Sequence, residues 1–210
     1  MVGFVTLGAA IMLYRSKLLQ ATAIPQAMAV PKERAEEVHV RGSANAAVTL
    51  EEFGDFQCPP CGALEGPLRQ IERDYASSLR VIFRNFPFTN HEHAHEAAYA
   101  AEAAGLQGRF WEMHDLLYRE QSVWAKSSDV QSLFDAYAGM IGLNLERFKK
   151  DVSGEQVKAK VEGDRKRGEA LGVRNTPTIF INDESVPPTS LNPTALRAAV
   201  DAAVKEKTRS

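Results

Sequence analysis

Two adjacent prolines, Pro59 and Pro60, stand between the only cysteines of this 210-residue chain, Cys58 and Cys61. Proline has no backbone N–H and holds φ at about −65°, so it suits the first turn of a helix, where N–H groups lack intrahelical partners. Ahead of the tetrad, Val48 to Phe56 carries Val48, Leu50, Phe53 and Phe56 among acids, which predicts a buried strand ending at the cysteines. Behind it, Leu64, Leu68, Ile71 and Tyr75 recur at helical spacing. The tetrad is thus fixed as a strand-to-helix junction. A bridge across so short a loop would add little stability by chain entropy, and a structural staple would join distant segments. The pair is placed for chemistry.

The rest of the pattern sets the architecture. Leu79 to Phe86 predicts a second strand, closed by Pro87. Ala94, Ala97, Ala98, Ala101 and Ala104 make a small-residue helical face, with Gly105 and Gly108 as punctuation. Phe110, Met113 and Leu117 mark the next helix; Val130, Leu133, Phe134, Tyr137 and Ile141 mark another, capped by Asp129 or a preceding Ser. Leu145 to Val152 predicts a short helix, and Val157, Val161 and Leu171 lie on a more charged one that Gly172 terminates. Periodicity then changes. Thr178 to Asn182 reads as a short strand, Asn182-Asp183-Glu184 as a turn, and Ser185-Val186 as a return strand that Pro187 and Pro188 confine to an edge. Asn192 caps a last helix containing Leu196, Ala199, Val200 and Ala203. This order gives an α/β layered fold with a helical block inserted in the middle of its sheet.

Composition is that of an ordinary globular protein, with 44% hydrophobic and 25% charged residues. A net charge of −2 offers no electrostatic case for nucleic acid or an anionic membrane surface. Residues 1–37 stand apart from the folded region. Val2 to Tyr14 is uncharged and mostly apolar; as a helix it would reach about 20 Å, short of a bilayer core of about 30 Å. It is expected to be the apolar part of a secretion signal, or a membrane anchor whose start lies upstream. Ala21-Thr22-Ala23 and Ala27-Met28-Ala29 fit a cleavage pattern, although Arg15 and Lys17 follow the apolar run instead of preceding it. Ile24 to Glu37 is a linker, 38–204 the folded domain and 205–210 a tail.

A thiol attacks a disulfide only as thiolate, so a reactive cysteine needs a lowered pKa. A helix N-terminus supplies this through unpaired N–H groups and its dipole. Cys58 sits where those groups point and Cys61 one turn further in, within reach. Cys58 is therefore the expected nucleophile and Cys61 the resolving thiol.

The segment Phe53-Gly54-Asp55-Phe56-Gln57-Cys58-Pro59-Pro60-Cys61 resembles the active-site segment of DsbA-like thioredoxin-fold oxidoreductases. Gln107-Gly108-Arg109-Phe110-Trp111-Glu112-Met113-His114 is similar to a segment of their inserted helical domain, and Gly172-Val173-Arg174-Asn175-Thr176-Pro177-Thr178 to the one holding their cis-proline. The resemblance covers roughly Val38 to Val204 in the right order. It implies a thioredoxin-like fold with a helical insertion at about 91–152, and exchange of disulfides with protein or peptide substrates, in the forming direction or in reverse. It implies that Pro177 is the cis-proline, that Thr176 pairs with an extended substrate strand, and that Glu52 is a buried acid assisting proton transfer from Cys61. It also implies a quinone-linked membrane partner of the DsbB type, an extracytoplasmic location and no cofactor. Asp55 is expected to be exposed. This sequence departs from the family at Pro60, where the best-known member has His; Cys58 is expected to be less acidic for lack of that imidazole, and the protein a weaker oxidant.

Other readings attach to the same residues. His91, His93 and His95 could share a metal if extended, or lie at the start of the Ala-rich helix with His91 near its cap. A zinc module would use Cys58 and Cys61 as half a tetrahedral site, with the histidines supplying the rest. A binding or chaperone-like protein would use the groove beside Pro177 without turnover. Trp111 and Trp124 fit core or groove lining better than a cofactor site.

Overall fold

The computed structural model describes residues 39–43 and 45–207. Five strands form one mixed sheet in the order β1-β3-β2-β4-β5. They are β1 (His39–Gly42), β2 (Val48–Gly54), β3 (Leu79–Asn85), β4 (Thr178–Ile181) and β5 (Glu184–Ser185). β2 lies in the middle, parallel to β3 and antiparallel to β4. A parallel pair needs a crossover, and α1 (Pro59–Asp74) provides it.

One face of the sheet is covered by α1 and by α8 (Pro193–Lys207). Val48, Leu50, Val81 and Ile179 meet Leu64, Leu68, Ile71, Leu196 and Val200 there, all buried. Each such aliphatic side chain contributes roughly 1.5–3 kcal/mol when fully buried. Together they offset Pro67 inside α1, an interior proline costing about 3 kcal/mol in a helix.

Between β3 and β4 run α2 (Ala94–Gly105), α3 (Phe110–Arg119), α4 (Gln121–Trp124), α5 (Val130–Met140), α6 (Leu145–Val152) and α7 (Glu155–Ala170). Their core gathers Phe110, Met113, Leu117, Trp124, Phe134 and Phe148 around the alanines of α2. α7 returns across the other sheet face. A Cβ on Gly168 would stand 2.7 Å from the Phe86 ring, so glycine sets how closely α7 approaches. Asp164 of α7 is fully buried and binds Arg84 of β3 at 2.8 Å, while Arg84 also donates to Glu51 of β2 at 2.9 Å.

Several boundaries differ from expectation. β2 ends at Gly54, not Phe56, and Asp55 is buried rather than exposed, because the chain turns at Asp55 and its carboxylate is consumed by that turn. The return strand spans Glu184–Ser185, one residue earlier than expected, because the reversal occupies only Asn182 and Asp183, both at positive φ. Leu171 lies beyond the end of α7 and is exposed. The Asp129 and Asn192 caps are present, donated to by Ser132 N and Ala195 N. β1 and α4 were not expected at all. The apolar segment 2–14, the linker and the last residues of the tail lie outside the described residues.

Candidate active site

The site is built where β2 hands over to α1. Gly54 closes the strand, and a Cβ there would meet the Phe83 ring at 2.6 Å and the Tyr118 hydroxyl at 2.9 Å. Asp55 makes the turn. Its Oδ1 accepts from Gln57 N at 2.7 Å, its Oδ2 accepts from Phe88 N at 2.9 Å, and its carbonyl accepts from Cys58 N at 3.0 Å. Gln121 donates to the carbonyls of Phe56 (2.6 Å) and Cys58 (3.0 Å), and Gln57 donates to that of Ala125 (3.3 Å). The helical block thus clamps the loop that presents the nucleophile.

Cys58 is the N-cap of α1, with Pro59 and Pro60 in the first turn. Both cysteines are free thiols, Cys58 5% and Cys61 1% exposed. The Cys58 thiol lies 3.3 Å from the carbonyl oxygen of Thr176, which precedes a cis bond to Pro177. The pKa of Cys58 is brought down to about 6, chiefly by a hydrogen bond from Cys61, with burial opposing and Thr176 assisting. Cys61 is pushed far up, by burial first and by keeping the shared proton second. One thiol is made to ionise and the other to hold its proton, which is the division of labour expected for nucleophile and resolving group.

Glu52 lies on β2 opposite Phe83 and Ile179, 3% exposed. Burial, then the charges of Glu65, Glu72 and Cys58, raise its carboxyl well above the ordinary range. Beside the cysteines, Pro60, Leu64, Pro67, Pro177, Pro188 and Leu191 line an open, largely apolar groove of about 520 Å³.

The histidine run does not converge. The run lies at the start of the Ala-rich helix: α2 begins at Ala94, His93 is its N-cap and His91 stands two residues ahead of that cap. His91 Nδ1 binds Asp55 at 2.7 Å, His93 Nε2 meets the Ser127 carbonyl at 3.0 Å, and the His95 ring sits beside Tyr99. Among the described residues, the acidic and imidazole side chains gathered within ligand reach are Glu65, His114 and Asp115, and there Arg41 already binds Asp115 at 2.6 Å. Trp124 is fully buried in the helical core; Trp111 donates to the Val40 carbonyl and lies under the Arg41 guanidinium.

Asp55, Gln57, His91 and Gln121 were not anticipated as parts of the site. The available signal was Asp55 itself, an acid between Gly54 and Phe56 at a junction that needs a turn.

A family model described as thioredoxin matches residues 34–202. A thioredoxin-like oxidoreductase from Silicibacter pomeroyi is 26% identical, with a TM-score of 0.68 over 80% of this chain and 92% of that one. The alpha-DsbA1 structure of Wolbachia pipientis has the same fold at 17% identity, with a TM-score of 0.70 over 83% of this chain and 94% of its own. The sodium/proton antiporter NhaA 1 of Salinispora arenicola is 39% identical over 166 residues, 79% of this chain but 24% of the antiporter. The chain thus spans about a quarter of the length of the curated relatives it matches. Among the described residues, no helix is long and apolar enough to cross a membrane.

Proposed function

The chain belongs to the thioredoxin family, in its DsbA-like group of thiol–disulfide oxidoreductases, and from that premise we propose that it forms disulfides in protein substrates through Cys58 and Cys61. The observation that carries this reading is the unequal pair at the head of α1, with Cys58 ionising at about 6 while Cys61 retains its proton.

In the forming direction, a substrate thiolate attacks Cys58 of the oxidised pair. The Cys58–Cys61 bond breaks, Cys61 leaves and takes up a proton, and a mixed disulfide joins Cys58 to the substrate. A second substrate thiolate then attacks the substrate sulfur of that bond, and Cys58 departs as thiolate. The substrate loses two electrons and the pair gains them. Cys58 suits this role because a thiol of low pKa leaves faster. Relative to an ordinary thiol at about 8.5, ionisation at about 6 stabilises the reduced form at pH 7 by about 1.4 kcal/mol, or about 30 mV of oxidising potential. That favours oxidase over reductase.

Glu52 is assigned the proton transfer at Cys61, and Thr176 with Pro177 the docking of an extended substrate segment along the groove. The domain is read as 38–204 with a helical insertion at about 91–152. Regeneration calls for an oxidant of the DsbB type, and the protein is placed outside the cytoplasm. Its antiporter relatives add the reading that such a domain also works beside a membrane transporter.

The test is recovery of activity by a reduced, unfolded disulfide protein, run with the wild type, Cys58→Ser and Cys61→Ser. Oxidised wild type should restore it, Cys58→Ser should not, and reduced Cys61→Ser should trap a mixed disulfide with an activated substrate. Turnover by Cys58→Ser would overturn the assignment, and a reduction potential near thioredoxin's about −270 mV would reverse its direction.

A further inference from the structure

The turn that presents the nucleophile contains a buried charge that the exchange steps above do not use. Asp55 is 1% exposed and precedes Cys58 by three residues, with its carbonyl tied to the Cys58 N–H. A buried ionised carboxylate so placed disfavours a second negative charge, and Asp55 does push Cys58 upward. Its Oδ2 is 2.7 Å from Nδ1 of His91, which enters from the β3–α2 loop. The His91 side chain is 27% exposed while that of Asp55 is fully covered, so the imidazole is the member of the pair that solvent reaches.

We propose that His91 is a positioning residue for Cys58: seated on Asp55, its imidazole sets how much negative charge the nucleophile's turn carries, the part that a histidine between the cysteines would play and that Pro60 cannot. This rests on the disulfide-exchange reading above and extends it. Protonated, His91 cancels the Asp55 charge and Cys58 keeps its thiolate. Neutral, it only donates an N–H, and the carboxylate charge stands. The other groups acting on Cys58 are Cys61 from α1, Glu52 from β2 and Thr176 from the facing loop. Around His91 itself, the Phe88 ring packs at 6.0 Å, and neighbouring Glu92 lies with its carboxylate 4.0 Å from His93. The coupling holds the thiolate to lower pH than Asp55 alone would allow.

The experiment titrates Cys58 by thiolate absorbance between pH 4 and 9 in the wild type, His91→Gln, Asp55→Asn and the double variant. Glutamine still donates an N–H to Asp55 but carries no charge. His91→Gln is expected to lower the thiolate fraction at pH 5.5 about threefold, Asp55→Asn to leave it near the wild-type value because that charge is already cancelled there, and His91→Gln to do nothing further once Asp55 is neutral. A Cys58 curve unchanged by His91→Gln overturns the proposal, as does an equal shift in both backgrounds. Should Asp55→Asn not fold, the His91→Gln curve decides alone. The titration needs no substrate, so wild type inert in exchange but sensitive to His91→Gln would remove only the oxidoreductase reading.

Discussion

The Cys58 thiol and the Thr176 carbonyl, 118 residues apart in sequence, meet at 3.3 Å. That contact brings the end of β2 and the approach to β4 against each other at one sulfur atom. It sets Cys58, whose thiolate is tuned chiefly by Cys61, next to the groove where a substrate segment would lie.

The tuning has a direct consequence for reactivity. Cys58 alkylates only as thiolate, so its rate with a small alkylating agent should rise about tenfold per pH unit below about 6 and level off above. Cys61, buried and holding its proton, should stay unmodified in the folded protein. Mass spectrometry of the two peptides across pH 4–9 checks both statements. A midpoint near the ordinary about 8.5 would show that the Cys61 hydrogen bond does not stabilise the thiolate.

Pro60 limits how far this can go. It supplies no N–H and no imidazole to the helix terminus. Pro60→His would supply both and should lower the Cys58 pKa further; with Cys58 already largely ionised at pH 7, each further pKa unit makes the pair about 30 mV more oxidising. Equilibration against glutathione reads the change, and a potential equal to or below that of the parent contradicts it.

The parts of the site that were legible in sequence are those whose chemistry is local. Pro59 and Pro60 announce the helix start, the cysteine spacing announces the redox pair, and Thr176-Pro177 stands just ahead of an apolar strand. The Asp55–His91 pair was not legible, because the two lie 36 residues apart and meet only where the β2–α1 and β3–α2 loops leave neighbouring parallel strands. β1 left no pattern either. Its one large apolar residue, Val40, is exposed, and the strand is held by pairing with β3 and by His39, which stacks on Phe110 at 3.5 Å and bonds Glu102. The histidine run lies where its pattern allows, at the head of α2. Its members alternate in sequence and are claimed by three different neighbours.

The charged layer beneath α7 should be a main source of stability. Asp164 is fully buried, bonded to Arg84 at 2.8 Å and Lys160 at 2.7 Å. Removing one member of a buried pair costs about 3–5 kcal/mol where the other is left unpaired, and Arg84 keeps Glu51, so the lower end of that range is expected. Asp164→Ala should therefore unfold at much lower urea concentration, while whatever remains folded keeps its Cys58 titration, since this network lies on the sheet face away from α1. A loss below about 1 kcal/mol would mean that water reaches Arg84 freely.

Glu52 allows a stability prediction whose sign differs from that of most carboxylates. Its pKa is raised in the folded state by burial and by the charges of Glu65, Glu72 and Cys58, so between its unfolded value, about 4.3, and its folded one the native protein binds more protons than the unfolded chain. Its contribution to stability is fully present below that unfolded value and is lost as pH climbs through the folded pKa. Glu52→Gln cannot ionise, so it should gain stability over the parent as pH rises from 5 to 9 in urea titrations, and the two should converge in acid. The same variant should form the mixed disulfide more slowly, because the departing Cys61 loses its proton donor. A parent whose stability rises relative to Glu52→Gln over that range would show the acid to be ionised and paired in the fold, and would remove it from the proton path.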